Sequence, residues 1–170
     1  MIPSRFKYKL FGRFRGRKKI HHSSFQDSKK YQFNLERDIN NSKYNILDIG
    51  SGSGENALFL SDTYPDSKII TCELFYDGNV NLVKQIKKNK ITNISLFHGN
   101  VLEFLDHAEP LLTFDEIWIL FPDPWPKIRH HKRRLISNFF LEKIYKYLRH
   151  SGKLMIATDS QSYIQSIIKN

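Results

Sequence analysis

One acid in this chain is held with unusual stiffness. Residues 121–134 read FPDPWPKIRHHKRR, with Asp123 standing between Pro122 and Pro124. Each proline fixes its own φ, and Pro124 drives Asp123 toward extended geometry. A preorganised carboxylate of this kind suits the orientation of a reactant. Cations follow at once: Lys127, Arg129, Lys132, Arg133 and Arg134, with no acid before Glu142. A basic run this dense reads as phosphate contact. Trp125 is placed either to stack on a base or to pack under the loop. His130 and His131 are adjacent, a poor spacing for sharing an ion, so no metal is assigned.

A second constellation lies upstream. LDIGSGSGEN puts Gly50, Gly52 and Gly54 in the turn from a strand into a helix. Glycines there make positive φ available and let the backbone approach a ligand closely. The dinucleotide fingerprint G-x-G-x-x-G would require glycine at position 55, which is Glu55. That acid disfavours a diphosphate at the helix start. D-x-G-x-G-x-G, with a strand-end acid Glu73 25 residues after Asp48, suits S-adenosylmethionine better. Its ribose offers two hydroxyls to a carboxylate, it has no phosphate, and its ammonium and sulfonium favour acids. Asn100 closes a later strand, where its carbonyl could accept from an adenine amino group.

These residues need a scaffold, and the pattern from Tyr44 onward supplies one. YNILDIG, KIITCEL, NISLFHG, FDEIWILF and KLMIAT read as five strands. ENALFLSDTY is of helical length and stops at Pro65, while NVNLVKQIKKN carries Val80, Val83 and Ile86 on one face. Ile136, Phe140, Ile144 and Leu148 keep a spacing of four, which predicts a helix stopping near Gly152. Tyr163, Ile164, Ile167 and Ile168 open a last helix. Strands alternating with helices imply an α/β fold with a mostly parallel sheet, helices on both faces and right-handed crossovers. Ligands in such sheets sit at the carboxyl ends of strands, so Asp48, Glu73, the 98–100 turn, Asp123 and Asp159 are the positions to watch.

The chain divides at about residue 42. Residues 5–19, RFKYKLFGRFRGRKK, interleave cations with aromatics and glycine and suit an arm along a phosphate backbone. Residues 27–42 are polar and read as a connector; residues 43–170 form the domain. At 170 residues, 40% hydrophobic and 14% aromatic, the composition is that of one globular unit. A formal charge of +10 points to a polyanionic partner. The lone Cys72 allows no internal disulfide and suggests a reducing, cytoplasmic setting. The N-terminus lacks the apolar middle of a secretory signal, and no apolar run approaches the ~20 residues of a membrane span, so no membrane is expected. Its acid-free, Arg-rich start is also compatible with an organelle transit peptide.

With these motifs in hand, the chain resembles the tRNA (guanine-N7)-methyltransferase family, a class I S-adenosylmethionine-dependent group. The 121–134 block matches almost throughout, and LDIGSGSGE, CELF, HGN and ATD follow in the family's order. FGRFRGR is similar to its arm. The resemblance implies a Rossmann-like methyltransferase fold and methyl transfer to a guanosine of the tRNA variable loop. It implies cofactor contacts at Asp48, Gly50, Gly52, Glu73, Asn100 and Asp123, with Asp123 also catalytic or guanine-orienting. It implies substrate contacts at Lys127 and Asp159, and a tRNA surface of Arg129, His130, His131, Lys132, Arg133 and Arg134. Two departures are visible. Asn100 stands where the family carries an acid, and no antiparallel strand pair or Thr-x-Phe-Glu-like motif follows the fifth strand. A C-terminally incomplete domain would leave that strand as an apolar edge, covered by a homodimer mate or a partner chain. The competing expectation is a relative that grips tRNA without turnover.

Overall fold

The structure, a computed structural model, describes residues 8, 27–39, 43–108 and 112–170. The five strands are β1 (Asn45–Ile49), β2 (Lys68–Glu73), β3 (Ile94–His98), β4 (Phe114–Leu120) and β5 (Leu148–Ala157). They form one all-parallel sheet in the order β3-β2-β1-β4-β5. Between them run α2 (Glu55–Thr63), α3 (Tyr76–Asn89), α4 (Val101–Ala108) and α5 (Asn138–Tyr145). A short α1 (Leu35–Ile39) precedes the sheet and α6 (Gln161–Lys169) follows it.

Every residue of β1 is buried, because the strand is central and covered on both faces. Successive side chains serve opposite layers. Ile46 packs with Ala57, Leu60, Leu82, Val83 and Ile86 on one side. Leu47 packs with Phe104, Ile117, Phe140 and Tyr163 on the other. The apolar face expected for α3 is present, with Val80, Val83 and Ile86 all buried.

The order of strands sets the site. From β1 the chain winds outward to β2 and β3, then returns to place β4 on the other side of β1. Ile49 is paired with Cys72 on one side and Ile119 on the other. The turn after β1 therefore opens beside the exit of β4, at the switch point where open α/β sheets bind ligands.

Three sequence expectations need correction. α5 stops at Tyr145, not near Gly152, because Leu148 already pairs with Phe114 as the first residue of β5. From Phe114 to Glu116 β4 advances two residues while β5 advances five, from Leu148 to Lys153. Gly152 lies in that bulge. Residues 27–39 are not a bare connector: a 3₁₀ turn (Asp27–Tyr31) leads to a parallel bridge between Gln32 and Leu96 at the β3 edge. Phe33 meets Phe104 edge-on at 5.0 Å. Finally, α4 is a helix the strand-type reading passed over. The basic arm expected at residues 5–19 lies outside the described residues, apart from Tyr8, whose hydroxyl donates to Asp106 Oδ2 at 2.8 Å.

Among the described residues β5 lies at an outer edge of the sheet, with Met155 exposed on it. Among the described residues no helix is long and apolar enough to cross a membrane. No His, Cys, Asp and Glu side chains gather there as for a metal ion.

Candidate active site

The turn after β1 is built by glycine. Gly50, Gly52 and Gly54 have φ of 75°, 56° and 95°, in the left-handed region that side-chain-bearing residues rarely adopt. At Gly54 the constraint is also steric, since a β-carbon would lie 2.6 Å from Leu82 Cδ1. The turn is then pinned by an acid. The amide of Gly52 donates to Glu73 Oε2 at 2.8 Å, and the amide of Phe75 donates to Glu73 Oε1 at 2.7 Å. Each carboxylate oxygen takes one N–H and keeps acceptor capacity toward the cleft.

Asp48 sits beneath this turn, 2% exposed. Asn56 Nδ2 donates to its Oδ1 at 2.9 Å, while Oδ2 has no hydrogen-bond partner. Burial pushes its carboxyl up to about 6; the Asn56 hydrogen bond opposes this, and the nearby negative charge of Glu73 adds to it. A buried carboxylate with one unpartnered oxygen under a glycine turn is a site prepared for a donor or a cation.

Asn79 Nδ2 donates to the Glu73 carbonyl at 3.0 Å and contacts His98 Nδ1 at 3.1 Å, so it ties the ends of β2 and β3 together. Burial holds the His98 imidazole below its ordinary pKa. Asn100 Oδ1 accepts from the Leu102 amide at 2.8 Å and so caps α4. Its side-chain carbonyl, expected to face a ligand, is partly committed to that cap.

On the opposite bank stands the 121–125 loop. Phe121 and Trp125 have φ of 49° and 43°. Two non-glycine residues in the left-handed region cost on the order of 1–3 kcal/mol each and persist only where surroundings enforce them. Asp123, the residue between them, is exposed. Trp125 lies against Arg133, whose guanidinium is 4.9 Å from the ring centroid, and His130 meets it edge-on at 5.9 Å.

Gly50, Glu73, Asn100 and Asp123 face one another across a cleft of about 950 Å³, bordered by Lys132 and Arg133. Lys127, Arg129 and Asp159 are exposed and lie outside its lining, Lys127 and Arg129 on the basic 3₁₀ segment (Ile128–Arg133) and its approach. Arg134, the residue that follows that segment, departs from it: it is buried, 8% exposed, and His131 Nε2 accepts from its Nη2 at 3.1 Å. Phe121 and Phe139, both more than half exposed, also line the cleft. Sequence reasoning did not single out Phe139, Asn56, Asn79 or Gly78. For Phe139 the available signal was an exposed aromatic in the first turn of α5.

A family model described as "Putative methyltransferase" matches residues 42–170. The tRNA (guanine-N(7)-)-methyltransferase of Neorickettsia sennetsu is 32% identical over 167 residues, covering 94% of this chain and 73% of that protein. The chain spans about half the length of most curated relatives it matches. Precorrin-6y C5,15-methyltransferase from Geobacter metallireducens shares the fold, with TM-score 0.61 at 16% identity over 79% of this chain and 63% of that one. PKMT2 from Rickettsia typhi, solved in complex with AdoHcy, gives TM-score 0.51 at 28% identity over 65% of this chain and 20% of that one. The sheet order is that of the Rossmann-like methyltransferases, the motifs fall where it places a ligand, and the chain belongs to the tRNA (guanine-N7)-methyltransferase family.

Proposed function

We propose that this chain carries methyl transfer from S-adenosylmethionine to N7 of a guanosine in the variable loop of tRNA. The observation that carries the reading is the meeting of Asp123 with Glu73 and the glycine turn in one cleft, under a basic border. Neither feature alone selects this reaction.

The residues fit the cofactor. Glu73 retains acceptor capacity on both oxygens for the ribose hydroxyls, and Asp48 Oδ2 is an unpartnered buried acceptor under the turn. A β-carbon on Gly50 would meet nothing within 4 Å, so that backbone faces open space a ligand can fill. Asp48, Gly50, Gly52, Glu73 and Asn100 would hold it, with Asp123 closing the far side. When bound, it supplies an electrophilic sulfonium methyl.

The rest of the chemistry falls to the protein. Guanine N7 carries an in-plane lone pair and no proton, so no general base is required. Positive charge develops on the imidazole ring of the base as N7 is methylated. Asp123 orients the ring and stabilises that charge where it appears, an effect of about 3 kcal/mol for a well-placed group. Lys127 and Asp159 are assigned to substrate contact, and Arg129, His130, His131, Lys132 and Arg133 to the tRNA surface. The target base must leave its stack to reach the cleft. A tRNA substrate and the buried thiol of Cys72 both suit a cytoplasmic location.

Transfer of labelled methyl to unmodified tRNA, followed by strand scission at N7-methylguanosine, tests the reading. A cut in the variable loop is the expected result. Salt-sensitive tRNA binding by folded protein without transfer would overturn it in favour of a tRNA-gripping relative that does not turn over.

A further inference from the structure

We propose that Arg134 is the positioning residue of the Asp123 loop, and not a ligand for RNA phosphate. Its sequence context, the end of a basic run, groups it with Lys132 and Arg133. Its surroundings do not. The Nε donates to the carbonyl of Pro124 at 2.9 Å. Nη1 donates to the Ser162 carbonyl at 3.2 Å, and Nη2 to Ser162 Oγ at 3.0 Å and to His131 Nε2 at 3.1 Å. Four of the five N–H groups of a guanidinium are thereby engaged within the chain. The guanidinium carbon lies over the Tyr163 ring, 4.8 Å from its centroid, and Tyr163 is itself fully buried. Tyr163 is fixed in turn, because its hydroxyl accepts from the Ile136 amide at 3.0 Å.

Pro124 is the residue next to Asp123, so the Arg134–Pro124 bond ends one peptide from the carboxylate. The loop's other end is held by the Phe121 amide, which donates to the Ala157 carbonyl at 2.8 Å. Asp123 is thus suspended between one anchor on β5 and one on α6. Both Phe121 and Trp125 occupy strained backbone, and strain of that kind relaxes unless neighbours enforce it. Arg134 is the group in place to enforce it. Lysine could reach one of these acceptors but not span them, since only arginine offers a planar fork of donors.

The catalytic consequence rests on the methyltransferase reading above, and the test separates the two. The variants are Arg134→Ala, Arg134→Lys and Ser162→Ala, with Lys132→Ala as the phosphate-contact comparison and circular dichroism to verify folding. The chain has two tryptophans, so a Trp125→Phe variant assigns the Trp125 indole N–H resonance. Loss of the clamp should broaden that resonance in Arg134→Ala and, less strongly, in Ser162→Ala, but not in Lys132→Ala. The salt slope of tRNA binding should fall in Lys132→Ala and stay unchanged in Arg134→Ala. kcat should fall at least about tenfold in Arg134→Ala, with partial recovery in Arg134→Lys and KM for tRNA nearly constant. A sharp, unmoved indole signal, or a salt slope reduced as in Lys132→Ala with kcat retained, would overturn the proposal. If Arg134→Ala does not fold, Arg134→Lys and Ser162→Ala decide by the same readouts. Wild-type protein that transfers no methyl refutes the reaction assigned above, while the indole and salt-slope results still decide the role of Arg134.

Discussion

Gly78 and Gly52 touch backbone to backbone: a β-carbon on Gly78 would overlap the carbonyl oxygen of Gly52 and stand 2.8 Å from its carbonyl carbon. Helix α3 therefore meets the glycine turn with no side chain between them. The same approach leaves the Gly52 amide facing Glu73. Gly78 lies in a helix with no left-handed φ, so contact alone demands a glycine there.

Gly78→Ala should push the turn out of register with Glu73. Overpacking of this kind costs about 1–3 kcal/mol. The expected outcome is a loss of at least about tenfold in affinity for S-adenosylhomocysteine, read by calorimetry, with the secondary structure kept. Wild-type affinity in this variant would mean the turn does not form the cofactor site.

The residues of the site were easier to read than their partners. Strands such as KIITCEL announce themselves through β-branched runs, and a parallel sheet follows from alternation, whereas the strand order that places the switch point does not. VLEFLDHA is less legible because it is two turns long and follows its strand with only Gly99 and Asn100 between. The spacing of four at Ile136, Phe140, Ile144 and Leu148 overshoots, since Leu148 keeps the period by coincidence while serving in a strand. Polar residues around Tyr31 and Phe33 hide the two aromatics that dock 27–39 onto the core. Arg134 shows the limit most clearly. Composition gives three adjacent cations, Lys132 to Arg134, and only the position of α6 decides which of them is turned inward.

Asp123→Ala should lower kcat by about 10² while changing KM for tRNA little, as expected when an interaction acts mainly in the transition state. Steady-state kinetics with labelled cofactor checks this. Asp123→Asn should recover orientation but not charge, and fall between the two. Activity equal to wild type in the alanine variant would remove Asp123 from the mechanism.

Lys132→Ala combined with Arg133→Ala should weaken tRNA binding and reduce the slope of log affinity against log salt by about 1–2. Filter binding from low to moderate salt measures it. Because Arg133 also lies over Trp125, the double variant should shift the Trp125 indole signal, which Lys132→Ala alone should not. An unchanged slope would remove these cations from the RNA interface.

Asp38 should make the fold acid-sensitive. Its carboxylate is buried and accepts from Arg37 Nη2 and Lys68 Nζ, each at 2.8 Å, and from the Asn34 amide at 2.9 Å. Burial alone would raise its pKa, but these donors outweigh it and bring the group down from 3.8 to about 2. A depressed carboxylate stabilises the fold above its unfolded value, and that contribution disappears as pH falls from about 4 to about 2. Asp38→Ala should cost about 3 kcal/mol at pH 7, since it leaves Lys68 without this buried partner. Urea unfolding at pH 7 and pH 3 should show the difference shrinking at the lower pH.

Asp48 carries the opposite sign. Its folded pKa is about 6 against an ordinary 3.8, chiefly through burial. Below pH 4 the carboxyl is neutral in both states and contributes nothing. Between about 4 and 6 the unfolded chain has released its proton while the folded chain retains it, so stability falls as pH rises. Above 6 the fold bears a desolvated charge, a penalty on the order of 2–3 kcal/mol. Asp48→Asn keeps an acceptor for Asn56 and removes that charge. It should raise the melting temperature at pH 7.5, leave it unchanged at pH 4, and weaken S-adenosylhomocysteine binding. Thermal melts at the two pH values check the first half and calorimetry the second. A variant less stable than wild type at pH 7.5 would show that the ionised carboxylate supports the fold, and a variant that gains stability without losing affinity would show that Asp48 does not face the cofactor.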